Sequence, residues 1–176
     1  MLEEIEKYQK SLVNYYKSQD MEVFFYERNI PTKYGNEHFH LQVVPIPRAS
    51  ADNARKVLEY EGKRCGVQEW LVTDSFFSMR QVAKEEPFFA IQFPSDGKVY
   101  YTTHTENISI QFGRKVFAFV LNMLNRLDWK TCVLPDNQET KIAESFRKKF
   151  STFTIDPKVV NNQKKEADHT EKKEEN

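Results

Sequence analysis

The segment His38-Phe39-His40-Leu41-Gln42-Val43-Val44-Pro45-Ile46-Pro47 constrains the fold most, because its polar and apolar residues alternate with the period of a β-strand. Side chains two apart on a strand share a face and lie about 7 Å from one another, twice the rise per residue. His38, His40 and Gln42 thus line one face, within reach of one phosphate-sized group, while Phe39, Leu41 and Val43 anchor the opposite face in a core. Pro45 and Pro47 are expected to end the pairing, since proline brings no N–H to a ladder. A strand of this kind needs a neighbour. Met21 to Arg28, with Val23, Phe24, Phe25 and Tyr26, supplies one, antiparallel across the turn-forming residues Asn29 to Asn36.

Helices are expected around this pair. Leu2, Ile5, Tyr8, Leu12 and Tyr16 recur every three to four residues and make the first 18 or so residues an amphipathic helix. Ala51 to about Glu61 forms another, burying Ala54, Val57 and Leu58, with Ser50 or Asp52 as cap and Gly62 and Gly66 bracketing its end. Phe88 to Phe93 and Lys98 to His104 flank Pro94-Ser95-Asp96-Gly97, a strong turn former, and predict a hairpin. His104, at the end of that hairpin, reads as a strand or hydrogen-bonding residue. Phe112, Val116, Phe119, Val120, Met123 and Leu127 keep helical spacing, and Phe117, Leu121 and Leu124 widen the stripe until most of the circumference must be buried. Asp136 and Glu139 read as a capping-box variant opening a helix that buries Ile142, Ala143, Phe146 and Phe150. From about Pro157 onward almost nothing is apolar after Val160, so a disordered, solvated tail is expected.

With 39% hydrophobic and 14% aromatic residues among 176, the chain has material for a real core, in one domain or two small ones. Basic and acidic residues balance at 26 each, so net charge gives no drive toward nonspecific nucleic-acid binding and leaves only a local patch. Cys65 and Cys132 form no C-x-x-C pair, which argues against structural zinc, and no cofactor is expected. The start Met-Leu-Glu-Glu-Ile-Glu-Lys is too charged for a secretory signal, and no apolar run approaches the ~20 residues of a membrane helix. An intracellular, reducing setting without a membrane partner follows.

Imidazole suits phosphoryl or nucleotidyl transfer because its ordinary pKa, about 6.5, leaves much of it neutral and nucleophilic at neutral pH. A second polar group must then orient it and meet charge developing on phosphate oxygens. The pattern His-x-His-x-Gln resembles the transferase-like form of the histidine-triad superfamily signature, and with its Val-Val-Pro-Ile-Pro tail it is most similar to the CwfJ family. This resemblance implies His40 as nucleophile if the site is active, His38 as an orienting or phosphate-contacting group, and Gln42 as an amide donor to a phosphate oxygen. Gln42 stands where hydrolases carry a third histidine, and an amide delivers no proton to a leaving group, which argues against rapid hydrolysis. Taken alone, the three residues also fit a strand that merely packs or caps.

Two further stretches carry the resemblance. Phe24-Phe25-Tyr26-Glu27-Arg28-Asn29, followed by a short loop and the motif strand, is similar to the CwfJ pattern of an aromatic strand ending in Glu-Arg-Asn. It implies phosphate or RNA contacts at Arg28 and Asn29. Gln111-Phe112-Gly113-Arg114, Arg126-Leu127-Asp128-Trp129-Lys130-Thr131-Cys132 and Phe146-Arg147-Lys148-Lys149-Phe150 follow in the order of the second C-terminal module of CwfJ proteins. Arg114, Arg126, Lys130 and Arg147 could form a basic surface edged by Trp129 that grips RNA through phosphates and stacking. A core Trp129 with salt-bridged arginines is the alternative.

The expected fold is thus α+β: a partial histidine-triad-like antiparallel sheet with packed helices over residues 1–60, fused to a smaller α+β module over 61–156, with a charged tail at 157–176. Strands and a helix that precede the first helix in a complete histidine-triad fold are not expected here. The resemblance implies a nuclear RNA-processing factor of pre-mRNA splicing, acting on the late spliceosome or in intron-lariat turnover. Its implied partners are RNA, either intron lariat or spliceosomal, and proteins of the spliceosome or the lariat debranching enzyme. The competing class is a nucleotidyl hydrolase or transferase working through a covalent His40 intermediate.

Overall fold

Alternation along Met21–Asn29 places Val23, Phe25 and Glu27 on one face and Phe24, Tyr26 and Arg28 on the other, and burial on both faces marks a strand with cover on each side. This strand, β1, lies second in a five-stranded antiparallel sheet of the computed structural model, which describes residues 2–31, 40–84 and 86–153. The order runs from β2 (Leu41–Pro47) through β1, β4 (Phe88–Gln92) and β5 (Val99–Thr102) to β3 (Leu71–Thr73). The α+β class with an antiparallel sheet is therefore as expected, and strands from both sides of residue 60 join one sheet. Phe24 pairs with Val44 and Tyr26 with Gln42 on one side of β1, while Tyr26 meets Ile91 and Arg28 meets Phe89 on the other. The β4–β5 hairpin forms as predicted: Gly97 takes φ +69° and the Asp96 carboxylate accepts the Lys98 N–H at 3.0 Å.

Pro45 and Pro47 do not end the pairing; they stand opposite Val23 and Met21 within β2. Since β2 is the edge strand, two prolines two residues apart can both turn their missing N–H toward the open side. The core side of β2 also differs from expectation. Val44 and Ile46 carry it, on the same face as Gln42; Ile46 is fully buried, Val43 is exposed, and Phe39 lies outside the described residues.

Helices α3 (Ala54–Arg64) and α5 (Phe112–Val120) cover the face of Phe24, Tyr26, Phe89 and Ile91, contributing Ala54, Leu58, Phe112, Val116 and Phe117 to one core. The chain reaches α3 through a four-residue helix, α2 (Arg48–Ala51), so neither Ser50 nor Asp52 caps it. Asn53, the residue before α3, is itself helical at φ −81° and ψ −16°, which denies the extended geometry a side-chain cap requires. Gly62 sits inside α3 rather than at its end, where a Cβ would come within 2.9 Å of the Trp70 ring. Gly66, at φ +89°, is the residue that stops the helix. Glu61, almost fully buried on α3, pairs with the Lys115 ammonium of α5 at 2.6 Å and with Arg64 at 3.3 Å.

Helix α5 ends at Val120, well short of Leu127. Asn122 adopts φ +52°, its N–H bonds to the Phe119 carbonyl at 3.1 Å, and the Met123 N–H bonds to Ala118 at 2.8 Å, closing a Schellman stop. Phe119 and Met123 are consequently exposed, and the chain continues in 3-10 turns at Leu124–Arg126 and Trp129–Cys132. On the opposite sheet face, α4 (Phe76–Ala83) starts at Ser75, whose hydroxyl accepts the Ser78 N–H at 3.0 Å, and buries Phe76, Met79 and Ala83. Its Arg80 pairs with the buried Glu27 carboxylate; burial raises that carboxyl above its ordinary value, against the pull of Arg80.

All these elements belong to the unit formed by residues 16–134; of the other described residues, 2–15 and 135–153 form a second unit. There α1 (Leu2–Lys17) and α6 (Asp136–Phe150) meet through Tyr15, whose ring stands edge-on to Phe146, Phe150 and Phe153 at 5.3–5.8 Å. The buried stripe of α1 is Ser11 and Tyr15, whereas Tyr8 is exposed. On α6 the capping box does not form, since Pro135 holds the cap position and Asp136 is already helical. Ile142 and Ala143 are exposed, and only Phe146 and Phe150 of the predicted stripe are partly covered. The tail expected to be disordered lies outside the described residues.

Candidate nucleic-acid interface

One cleft of about 240 Å³ opens where the His40 end of β2 faces the start of α5. Tyr26, Arg28, His40, Gln42, Ile110, Gln111, Arg114 and Trp129 line it. Strand alternation brings the first four together. Tyr26 and Arg28 are two apart on β1, and Gln42 pairs with Tyr26. Continued by one residue, the same register sets His40 opposite Arg28.

The second wall depends on Gly113. A Cβ there would fall 2.4 Å from the Tyr26 ring, so only glycine lets α5 lie against β1 at this point. That approach carries Gln111 and Arg114, either side of Gly113, into the cleft. Tyr26 itself packs against Phe89 and Phe117, with ring centroids 5.8 and 6.0 Å away and the ring planes near parallel. Burial raises the Tyr26 phenol above its ordinary pKa, opposed by the positive charge of Arg114.

The Arg114 guanidinium ties the floor of the cleft to the loop carrying Trp129, donating to the Arg126 carbonyl at 3.3 Å and to the Cys132 sulfur at 3.6 Å. The loop is closed further by the Thr131 hydroxyl, 2.7 Å from the carbonyls of Asn125 and Asp128, and by the Asp128 carboxylate, which accepts the Lys130 N–H at 3.0 Å. Trp129 rides on this frame with 53% of its surface exposed, so the core alternative for this residue does not hold. Hydrogen bonding at Arg126, then Thr131 and the charges of Arg126 and Arg114, lower the Cys132 thiol from its ordinary value.

Of the residues singled out in the sequence, Arg28, His40, Gln42 and Arg114 converge here. Asn29 projects from the opposite face of β1 and does not line the cleft. Arg126 contributes its carbonyl to the frame, and Lys130 its N–H, but neither side chain lines the cleft. His38 lies outside the described residues. Arg147 belongs to the other unit. Tyr26, Ile110 and Gln111 are additions; Tyr26 could have been found from its place two residues before Arg28 on one strand face. Among the described residues no group of three or more His, Cys, Asp or Glu side chains could hold a metal ion, and no helix is long and apolar enough to cross a membrane.

Residues 1–59 match the family described as "Protein similar to CwfJ C-terminal", and residues 71–156 match "Protein similar to CwfJ C-terminus 2". The chain belongs to the CwfJ C-terminal family. It is 34% identical over 160 residues to zinc finger CCCH domain-containing protein 64 of Arabidopsis thaliana, covering 85% of this chain and 26% of that protein. Against CWF19-like protein 1 of Homo sapiens the identity is 28% over 163 residues, covering 89% of this chain and 29% of the relative. For CWF19-like protein DRN1 of Saccharomyces cerevisiae it is 32% over 137 residues, covering 67% and 27%. The chain thus spans little more than a quarter of the length of these relatives. The two CwfJ segments build the cleft jointly: the first supplies Tyr26, Arg28, His40 and Gln42, the second Ile110, Gln111, Arg114 and Trp129.

Proposed function

We propose that this CwfJ-family chain is a nuclear, splicing-related factor that binds RNA through the cleft between β1, β2 and α5. The observation that carries this reading is the convergence of Arg28 and Arg114 with His40, Gln42 and an exposed Trp129 in one cleft of a chain with balanced net charge. Guanidinium groups meet phosphate oxygens in paired hydrogen bonds, and an exposed indole meets unstacked bases. The names of the CWF19-like relatives support a place in the splicing machinery. On this reading the partners are intron-lariat or spliceosomal RNA and the spliceosomal or debranching proteins that hold it.

Affinity purification of the tagged chain from nuclear extract, with RNA crosslinking, tests RNA and partner together. Enrichment of intron RNA and spliceosomal proteins, lost in the Arg28→Ala/Arg114→Ala double variant, is the expected result; recovery of neither would end the splicing reading. The presence of His40 in the same cleft as Arg28 and Arg114 favours a second reading, nucleotidyl transfer with a covalent His40 intermediate. It predicts release of nucleoside monophosphate from phosphoramidates, dinucleoside polyphosphates or capped RNA, abolished by His40→Ala. No release across that panel would dismiss it.

A further inference from the structure

The cleft's size, its amides and its exposed indole narrow the ligand beyond RNA in general. Pockets for drug-sized molecules run from about 300 Å³ upward, so about 240 Å³ has room for one base with its phosphate at the rim. Gln42 and Gln111 each present a donor and an acceptor, which suits the Watson–Crick edge of a base, and in a duplex that edge is already occupied. Trp129 is a large aromatic left half-exposed on a loop that several hydrogen bonds hold still, the character of a stacking platform more than of a core residue. Arg28 and Arg114 both line this space and can take the phosphate.

We propose that the cleft takes one unpaired nucleotide of single-stranded RNA, its base stacked on Trp129, its edge met by Gln42 and Gln111, and its phosphate held by Arg28 and Arg114. The proposal rests on the RNA-binding reading above and specifies the state of the RNA it recognises. Stacking and charge separate by salt: Trp129 contributes affinity independent of ionic strength, whereas each arginine contributes to its salt dependence.

Binding of the full 176-residue chain to a fluorescein-labelled single-stranded oligoribonucleotide, and to the same strand annealed to its complement, is the test. The single strand should bind on the order of tenfold more tightly, a margin comparable with one stacked base. Trp129→Ala should lose that margin with an unchanged salt slope, Trp129→Phe should keep most of it, and Arg114→Ala should lower the slope by about 0.7. If Trp129→Ala fails to fold, the Gln42→Ala/Gln111→Ala double variant serves instead and should lose the preference for the unpaired strand. Equal affinity for both strands, or variants that bind the single strand like the parent, would overturn the single-nucleotide proposal and leave RNA binding standing. Absence of binding to either RNA by the parent chain would overturn the RNA reading itself.

Discussion

Replacing Gly113 by alanine sets a gain in helix propensity against a steric collision, and the two can be weighed from the contacts. The added Cβ would lie 2.4, 2.6 and 2.8 Å from Cε2, Cζ and Cδ2 of Tyr26. Carbon atoms settle at about 3.5–4.0 Å, so the ring must move by roughly 1 Å. That movement disturbs its stacked contacts with Phe89 and Phe117. Overpacking of this kind costs up to about 3 kcal/mol, and alanine in place of glycine in a helix returns at most about 1 kcal/mol. The expected balance is a loss of about 2 kcal/mol, which for a chain of this length lowers Tm by about 4–8 °C. In a Tyr26→Ala background the collision vanishes and the same substitution should become neutral or stabilising, a reversal of sign that a double-mutant cycle measures directly. Equal or higher stability of Gly113→Ala alone, by calorimetry or urea unfolding, would refute the claim that glycine is required for α5 to approach β1.

Three other outcomes follow from contacts already described. Lys115→Met, which strips the Glu61 carboxylate of its 2.6 Å partner, should cost about 3 kcal/mol, whereas Arg64→Ala should cost under about 1 kcal/mol, read from urea unfolding of the two variants. Asp96 is held below its ordinary pKa: partial burial would raise it, but the Lys98 N–H, the Tyr100 hydroxyl and Arg55 outweigh that. A depressed carboxylate stabilises the fold above its unfolded-state pKa and loses that contribution as pH falls through the folded value. Asp96→Asn should therefore be less stable than the parent at pH 7, and the difference should close on acidification below the ordinary aspartate range, as thermal melts across pH would report. At Asn122, φ +52° favours glycine and penalises a Cβ without a polar side chain. Asn122→Ala should lose about 1 kcal/mol while Asn122→Gly loses none; equal Tm values for the two would contradict the assigned helix stop.

What could be read from the sequence, and what could not, divides along physical lines. The β1–β2 pair and the β4–β5 hairpin were legible because alternation and an Asp-Gly turn are local signals. The end of α5 was not: apolar residues keep helical spacing through Leu121, Leu124 and Leu127, and only the left-handed backbone of Asn122 breaks the helix. Pro45 and Pro47 misled for a related reason, since proline ends pairing only where both strand edges are occupied. In the cleft, His40 and Gln42 were legible from the alternation of the His-x-His-x-Gln strand, and Arg28 and Arg114 from the CwfJ-like stretches Glu-Arg-Asn and Gln-Phe-Gly-Arg. Tyr26 and Gln111 were missed because an aromatic residue in an apolar strand and an amide before a helix look unremarkable until Gly113 brings their elements together. Asn29 lies outside the cleft by parity alone, one residue from Arg28 and so on the other face.

The place of β1 in the sheet, with β2 on one side and β4 on the other, also sets an order of events during synthesis. A ribosome delivers β1 and β2 first, and a two-stranded ribbon by itself is marginal in water. Only when Phe88–Gln92 has emerged and found residues Phe25–Asn29, far back along the chain, does the sheet widen, and α5 and Trp129 arrive later still. Long-range closure of this kind is slow. The nascent chain therefore carries Arg28, His40 and Gln42 for some time without the wall that turns them into a cleft. Four of the lining residues precede Phe88–Gln92 and four follow it, so the cleft comes into being only once the strands have closed.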